Sequence, residues 1–459
     1  MVIFDPKLCQ PVPADISVVP THGETWTRKW ANWWGGATIA SPTVAMVAPA
    51  DHALKTVLSL VDQVDQVDRL NAYYVEETEY AREWVRKVVM APADTPVILD
   101  ASGTAAILTA TRIISYAAGD ESKEFWTLTT DEGGSLVPGT LRGVDPNKLE
   151  KVMFQPASAL FYEPEPVLTY PAGAKLSCRL VHLAQKTDAE LVEEIRAAVS
   201  GSTTPGCIVL PHVSKTGRIL PIREVGQMVA QLRAVGRKVY LVVDDIQGIG
   251  RVHPEATANP LSFCDAYVFG SSKALGGTLI ASAALVKEEI LETFLDRIQG
   301  GDPSGACFAH FQFTPSWESR LPKRLLKAGA VSLPEIVSMR SSLYHLYIRG
   351  GDGGYVERRQ RQLAQMHKLR QAVIEGLSRL AGLIVLENAP DRPLVPSIIC
   401  FRADKDRLSP AELKRRLQAW DPIITPSAPI SSYLRLDIPE YRGMPSPDVL
   451  VNALSEILS

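Results

Sequence analysis

The chain has 459 residues, more than a minimal domain needs, so a large domain with a smaller companion is expected. Hydrophobic residues make up 46% and charged residues 22%, with a net charge of -3. This is the composition of a globular protein with a sizeable core, and its charge argues against nucleic acid or an anionic membrane surface as the main partner, since both need a basic face. No run reaches the roughly 18 consecutive apolar residues of a membrane span, and Met1–Pro13 lacks the basic start and apolar stretch of a secretory signal. The cysteines Cys9, Cys178, Cys207, Cys264, Cys307 and Cys400 are scattered without a CxxC. Reduced thiols in a cytoplasmic protein are expected.

The first fifty residues are rich in Pro, Gly and Trp without periodicity and read as an arm. From about Asp51 to Met90 the pattern turns helical, with Leu54, Val57, Leu58 and Val61 at helical spacing. Strand and helix then alternate. Val97–Leu99 is an apolar strand, followed by Ser102-Gly103-Thr104 and an Ala-rich helix to Ala118. Further strands are expected at Glu124–Thr129, Cys207–Leu210, Val239–Val243, Ala266–Phe269 and Leu279–Val286, with a helix over Glu224–Val235. Fully apolar strands alternating with helices predict a mainly parallel sheet covered on both faces, with ligands beyond the carboxyl ends of the strands. Beyond about Gly300 come long helices at Leu333–Tyr347 and Val356–Leu380. Short strands follow at Leu383–Leu386, Ser397–Arg402 and Tyr433–Leu436, then a last helix at Pro447–Leu458. The expected division is an N-terminal arm and helix over 1–84, a large α/β domain over 85–300 and a smaller α+β domain over 301–459.

The residues with chemistry fall at strand ends. Ser102-Gly103-Thr104 lies between a strand and a helix, where small residues let a backbone approach a phosphate and the helix N-terminus attracts it. Asp244 closes one apolar strand, with Asp245 the competing carboxylate and Gln247 three residues on. Lys273 follows another, beside Ser271 and Ser272, in the glycine-rich turn Gly270–Gly277. These are the groups a pyridoxal phosphate (PLP) site needs: an amine for the Schiff base, a carboxylate to hold the pyridine nitrogen protonated, an amide for the phenolic oxygen and hydroxyls for the phosphate. No GxGxxG follows the first strand, so the dinucleotide fingerprint is missing.

Residues 97–290 resemble the class V aminotransferase family of fold-type I PLP enzymes, which includes alanine–glyoxylate aminotransferase-like proteins and cysteine desulfurases. The resemblance rests on Pro211-His212-Val213-Ser214-Lys215-Thr216-Gly217 through Pro221-Ile222, on Asp244-Asp245-Ile246-Gln247, and on Gly270-Ser271-Ser272-Lys273-Ala274-Leu275. It implies Lys273 as Schiff-base and proton-shuttle residue, Asp244 on the pyridine nitrogen and Gln247 on the phenolic oxygen. It also implies Thr104 and Ser272 at the phosphate, Ser214 among the cofactor-binding residues, and a homodimer with active sites at the interface. More loosely, Ser432–Leu436 resembles the late strand whose arginine grips the substrate carboxylate, which implies that role for Arg435.

Three departures stand out. Where the family places an aromatic on the cofactor ring, this chain has Gly133-Gly134; either Trp33 or Trp34 covers that face, or substrate binds against it. No cysteine lies between Asp404 and Ser432, which disfavours a persulfide-forming desulfurase. The stretch Ala328–Ser332 lacks the threonine that reaches the partner's phosphate, with Ser332 and Thr314 the nearest hydroxyls. The expected function is PLP-dependent chemistry at the α-carbon of an amino acid. Aminotransfer leads, with a β-eliminating or C–S lyase, or a decarboxylase or carbon-bond-forming enzyme, as the alternative. Loss of Lys273 or Asp244 would mark a non-catalytic relative, and both are present.

Overall fold

A computed structural model describes residues 34–35, 44–61, 67–100, 102–118, 124–133, 175–183, 186–271, 273–275, 281–299, 333–348, 352–387, 389–404, 408–420, 424–425, 433–438 and 447–458. In chain order a short strand β1 (Trp34–Gly35) leads into helices α1 (Val44–Val61) and α2 (Val67–Val88), strand β2 (Val97–Asp100), helix α3 (Gly103–Ala117) and strands β3 (Glu124–Thr130) and β4 (Lys175–Val181). Then come α4 (Asp188–Ser200), β5 (Gly206–Pro211), α5 (Ile222–Ala234), β6 (Val239–Asp244), β7 (Ala266–Gly270), β8 (Ser282–Val286) and α6 (Glu288–Gln299). The C-terminal part holds α7 (Leu333–Ile348), α8 (Tyr355–Ser378), β9 (Leu383–Val385), β10 (Ile398–Ala403), α9 (Pro410–Trp420), β11 (Ile424–Thr425), β12 (Leu434–Asp437) and α10 (Pro447–Leu458).

Among the described residues, seven strands form one sheet in the order β2-β8-β7-β6-β5-β3-β4. The neighbours from β7 to β4 run parallel, and β8 is antiparallel to both β2 and β7. Successive residues point to opposite faces of a strand, and here both faces are apolar. Ile208, Leu210, Leu241 and Val243 pack on one side with Val85, Ile195 and Val225 of α2, α4 and α5. Cys207, Val209, Val242 and Val268 pack on the other with Ile107 and Ile114 of α3 and Phe294 of α6. At about 1.5–3 kcal/mol for each large apolar side chain buried, this two-sided burial is the dominant favourable term in the fold. It also holds the carboxyl ends of β3, β5, β6 and β7 in one row.

A second sheet runs β11-β1-β12-β10-β9. Its core joins Ile399, Phe401, Leu434 and Leu436 to Met366, Leu413 and Leu450 of α8, α9 and α10. The helical reading of 51–90 resolves into α1 and α2, and β1 gives Trp34–Gly35 a place where the sequence offered no element. Gly35 stands in register with Asp437 and Trp34 with Ile424. No described helix is long and apolar enough to cross a membrane.

Candidate active site

Four neighbouring strands, β7, β6, β5 and β3, each deliver a charged side chain at or just past their carboxyl ends: Lys273, Asp244, Lys215 and Glu132 respectively. The row follows from the parallel run, because carboxyl ends on one edge face a common crevice.

Asp244 and Asp245 are adjacent and behave differently. Asp245 is fully buried; its Oδ1 lies 2.7 Å from His212 Nδ1 and its Oδ2 accepts from the Tyr267 hydroxyl. Gly248 leaves it room, since a Cβ there would stand 2.0 Å from Asp245 Oδ1. Asp244 accepts a hydrogen bond at Oδ1 from the Ile246 N–H (3.1 Å), and among the described residues Oδ2 has no partner. Burial lifts its carboxyl to about 6, against the pull of that N–H and of Lys273. Asp245 is thus committed to His212 and Tyr267, whereas Asp244 keeps an oxygen without a partner among the described residues.

Lys273 lies in the turn after β7. Burial lowers its amine to about 8; Asp244 opposes the fall, while Arg435, Arg251 and Lys215 reinforce it. Beside it Ser271 is fully buried, its hydroxyl 3.4 Å from the Ala281 carbonyl. Ser272 and Gly134 lie outside the described residues, as do Trp33, Thr314 and Ser332, and nothing is described of the Trp34 side chain. Gly133 is described; a Cβ there would make ordinary contacts, 3.4 Å from the Thr130 carbonyl.

Ser102 caps α3, its hydroxyl oxygen accepting from the Ala105 N–H at 3.1 Å. Gly103 presses on the residue after the aspartates: a Cβ would stand 2.0 Å from Ile246 Cδ1. That contact brings the N-terminus of α3, with Thr104, beside the end of β6. A bulkier residue would push the two apart.

The second sheet contributes a charge cluster. Arg251, just past Gln247, forms a bidentate pair with Asp437 on β12 (3.1 and 3.3 Å). Arg435 reaches the same carboxylate at 3.4 Å and donates to Gln247 Oε1 at 2.9 Å. Arg251 also lies 3.4 Å from Gln247 Oε1. With its oxygen claimed by guanidinium groups, the Gln247 amide presents its NH2 as a donor to the crevice. All three charged side chains are nearly fully buried, so the cluster is held by charge-assisted bonds in low dielectric.

Ser214 gives its hydroxyl to the Glu132 carboxylate (2.7 Å), with Thr216 Oγ1 at 3.0 Å and also on Glu132. The turn that carries it is shaped by Gly217, whose φ of +91° and closeness to Ile398 (2.9 Å from an added Cβ to Ile398 Cβ) demand a glycine. Lys273, Asp244, Gln247 and Arg435 are therefore brought into one crevice, with Ser102–Thr104 at its edge. Ser214 is turned to Glu132, and Ser271 to its own turn. Sequence reasoning missed Glu132, Lys215, Arg251 and Asp437. The signal for Lys215 was present, a lysine inside the Ser214–Gly217 motif; Asp437 is 186 residues from Arg251, and no sequence pattern links them.

No family model matches the chain, and no curated protein does. Solved structures do. An alanine–glyoxylate aminotransferase from Nostoc sp. is 16% identical, covering 97% of this chain and 98% of that one with a TM-score of 0.61. The cystine C–S lyase C-DES with its product cysteine persulfide, and a C-DES mutant with glycine covalently linked to the PLP cofactor, are each 14% identical. Each covers 92% of this chain and 97% of its own with a TM-score of 0.58. The chain has the fold of these enzymes, as the sequence led one to expect.

Proposed function

We propose that this chain is a PLP-dependent enzyme acting on an amino acid, with Lys273 as the attachment residue and aminotransfer as the reaction. The observation that carries this is the pairing of Lys273 and Asp244 at the ends of adjacent parallel strands, the amine lowered to about 8 and the carboxyl raised to about 6. Opposed shifts of this kind mark acid–base chemistry. Three features of the described residues support PLP there. Asp244 Oδ2 is unclaimed for a ring nitrogen, Gln247 offers its NH2 to a phenolic oxygen, and the Gly103 close approach leaves backbone N–H groups of α3, with Ser102 and Thr104, for a phosphate. When bound, the cofactor supplies an electron sink for negative charge at the substrate α-carbon.

The protein's part is binding, orientation and proton movement. At pH 7 an amine with a value near 8 is roughly one-tenth neutral, against about one part in three thousand for an ordinary lysine, so Lys273 Nζ is available as a nucleophile. The same Nζ would hold and move the α-proton of the substrate. Arg435, fixed by Gln247 and Asp437, is the receptor for the substrate carboxylate. A cytoplasmic homodimer with an interface site, and a division into arm, large and small domains near residues 84 and 300, belong to the same reading.

The second reading is a lyase. It is favoured by Gly133, which carries no ring to stack on the cofactor. A desulfurase is disfavoured: Cys400 is buried on β10, and burial raises its thiol to about 12. The test is turnover of an amino-acid panel with and without an α-keto acid. Product formation that depends on the keto acid supports aminotransfer; keto-acid-independent release of ammonia, sulfide or carbon dioxide assigns the lyase or decarboxylase reading. Arg435→Ala is expected to raise KM for the substrate far more than it weakens PLP binding, and equal loss of both would make Arg435 structural.

A further inference from the structure

The row of strand ends contains one cation that the proposed reaction leaves unused. Lys215 follows β5, on the far side of Asp244 from Lys273, and its backbone N–H is fixed to the Glu132 carbonyl at 2.9 Å. Its side chain is partly buried. Among the described residues its ammonium makes no hydrogen bond and no salt bridge. The nearest carboxylate in electrostatic terms is Glu132, whose Oε2 takes both the Ser214 and Thr216 hydroxyls and which makes no bond to the ammonium. Asp131, the next, is held by His182 Nδ1 (3.0 Å) and the Leu183 N–H (3.0 Å). Arg435 adds like-charge repulsion, and Asp244 attracts.

A lysine ammonium has three donors, and withdrawing it from water without a partner is costly. Burial lowers the Lys215 amine despite the surrounding carboxylates, so the protein alone under-compensates this charge. Such a cation at the mouth of a crevice is what an anionic ligand completes. The Arg251–Asp437–Arg435 cluster is a separate receptor at the second sheet, near enough for Arg435 to repel the Lys215 charge.

We propose that Lys215 receives a second anionic group on the substrate, so that the preferred amino acid is one whose side chain carries a carboxylate or a similar anion in addition to the α-carboxylate. Arg435 would hold one anion and Lys215 the other, orienting the substrate by two charge-assisted contacts. This rests on the functional reading above. Lys215 acts here as a binding and specificity residue.

The experiment titrates the full chain, loaded with PLP, with succinate, glutarate and adipate against butyrate as the monocarboxylate, reading Kd by calorimetry. PLP affinity is measured separately by absorbance. The wild type is expected to bind the best dicarboxylate at least about tenfold more tightly than butyrate. Lys215→Gln should bring the two within about twofold, with PLP affinity unchanged, and Lys215→Arg should keep the preference. Absence of the preference in the wild type overturns the inference, and this arm decides the matter if the glutamine variant does not fold. So does a preference that survives Lys215→Gln, or a fall in PLP affinity as large as the fall in dicarboxylate affinity, which would give Lys215 to the cofactor phosphate. A wild-type chain that takes up no PLP at all strikes the functional reading itself.

Discussion

At the candidate site Asp437 and Asp244 each face cations, and the two pairings differ in kind. Asp437 is locked between Arg251 and Arg435 by direct bonds of 3.1–3.4 Å. Asp244 and Lys273, at the ends of β6 and β7, influence one another through space without a salt bridge. The first pairing orients: its charges are neutralised in place, and it fixes Gln247 and the guanidinium of Arg435. The second is poised: neither group has its charge fully satisfied, and both are shifted toward neutrality. A site needs both, because groups that must change protonation during turnover are held best by groups that do not.

Lys273→Ala cuts deepest into the poised pair. It is expected to lower turnover by at least about 10³-fold, and turnover within tenfold of wild type would remove the amine from the mechanism. Asp437→Asn breaks the locked pair. Two buried guanidinium groups then lose the counter-charge they share, at a cost of about 3–5 kcal/mol, read as a lower midpoint in urea unfolding. A midpoint at the wild-type value would mean the cluster is not held by this carboxylate. The two adjacent aspartates sharpen the contrast. Asp245→Asn disturbs bonds to His212 and Tyr267 in a dry interior and should cost about 3 kcal/mol.

Asp244→Asn should leave the unfolding midpoint unchanged or raise it, while weakening PLP retention. The sign follows from its carboxyl, raised in the fold from 3.8 to about 6. Ionising it within the folded state is penalised, so the penalty sets in as pH climbs from about 4 to 6 and persists above. Any stabilisation by the asparagine variant should therefore be present at neutral pH and vanish near pH 4. A variant equally destabilised at both pH values would make Asp244 a structural residue. The smallest effect is kinetic. The rate at which cofactor-free protein captures PLP should rise with pH and level off above about 8, as Lys273 becomes neutral; a rate that falls over that range would contradict the lowered amine.

The same contrast describes what the sequence made legible. The poised pair was readable because its residues end runs such as Leu241-Val242-Val243 and Tyr267-Val268-Phe269, whose two-sided burial makes them stand out as strands. The apolar elements around it were readable for the same reason. Strand β4, Lys-Leu-Ser-Cys-Arg-Leu-Val at the sheet edge, mixes polar with apolar residues and carries no such run. Helix α4 was not read from the sequence: its signal is the capping box of Thr187 and Glu190, which apolar periodicity does not register. The locked cluster was half legible. Arg435 stood out as a charge between leucines, but Arg251 and Asp437 meet only because β12 lies against the turn after β6. The commitment of Ser214 to Glu132 likewise depends on β3 and β5 being neighbours, a fact of topology.

The central claim is that Lys273 is the attachment residue. The direct test is borohydride reduction of the PLP-loaded protein followed by mass spectrometry of its peptides. The account predicts one reduced pyridoxyl group, on Lys273, with Lys215 unmodified. Protein that takes up no PLP, or a label fixed on Lys215 with Lys273 free, would contradict it.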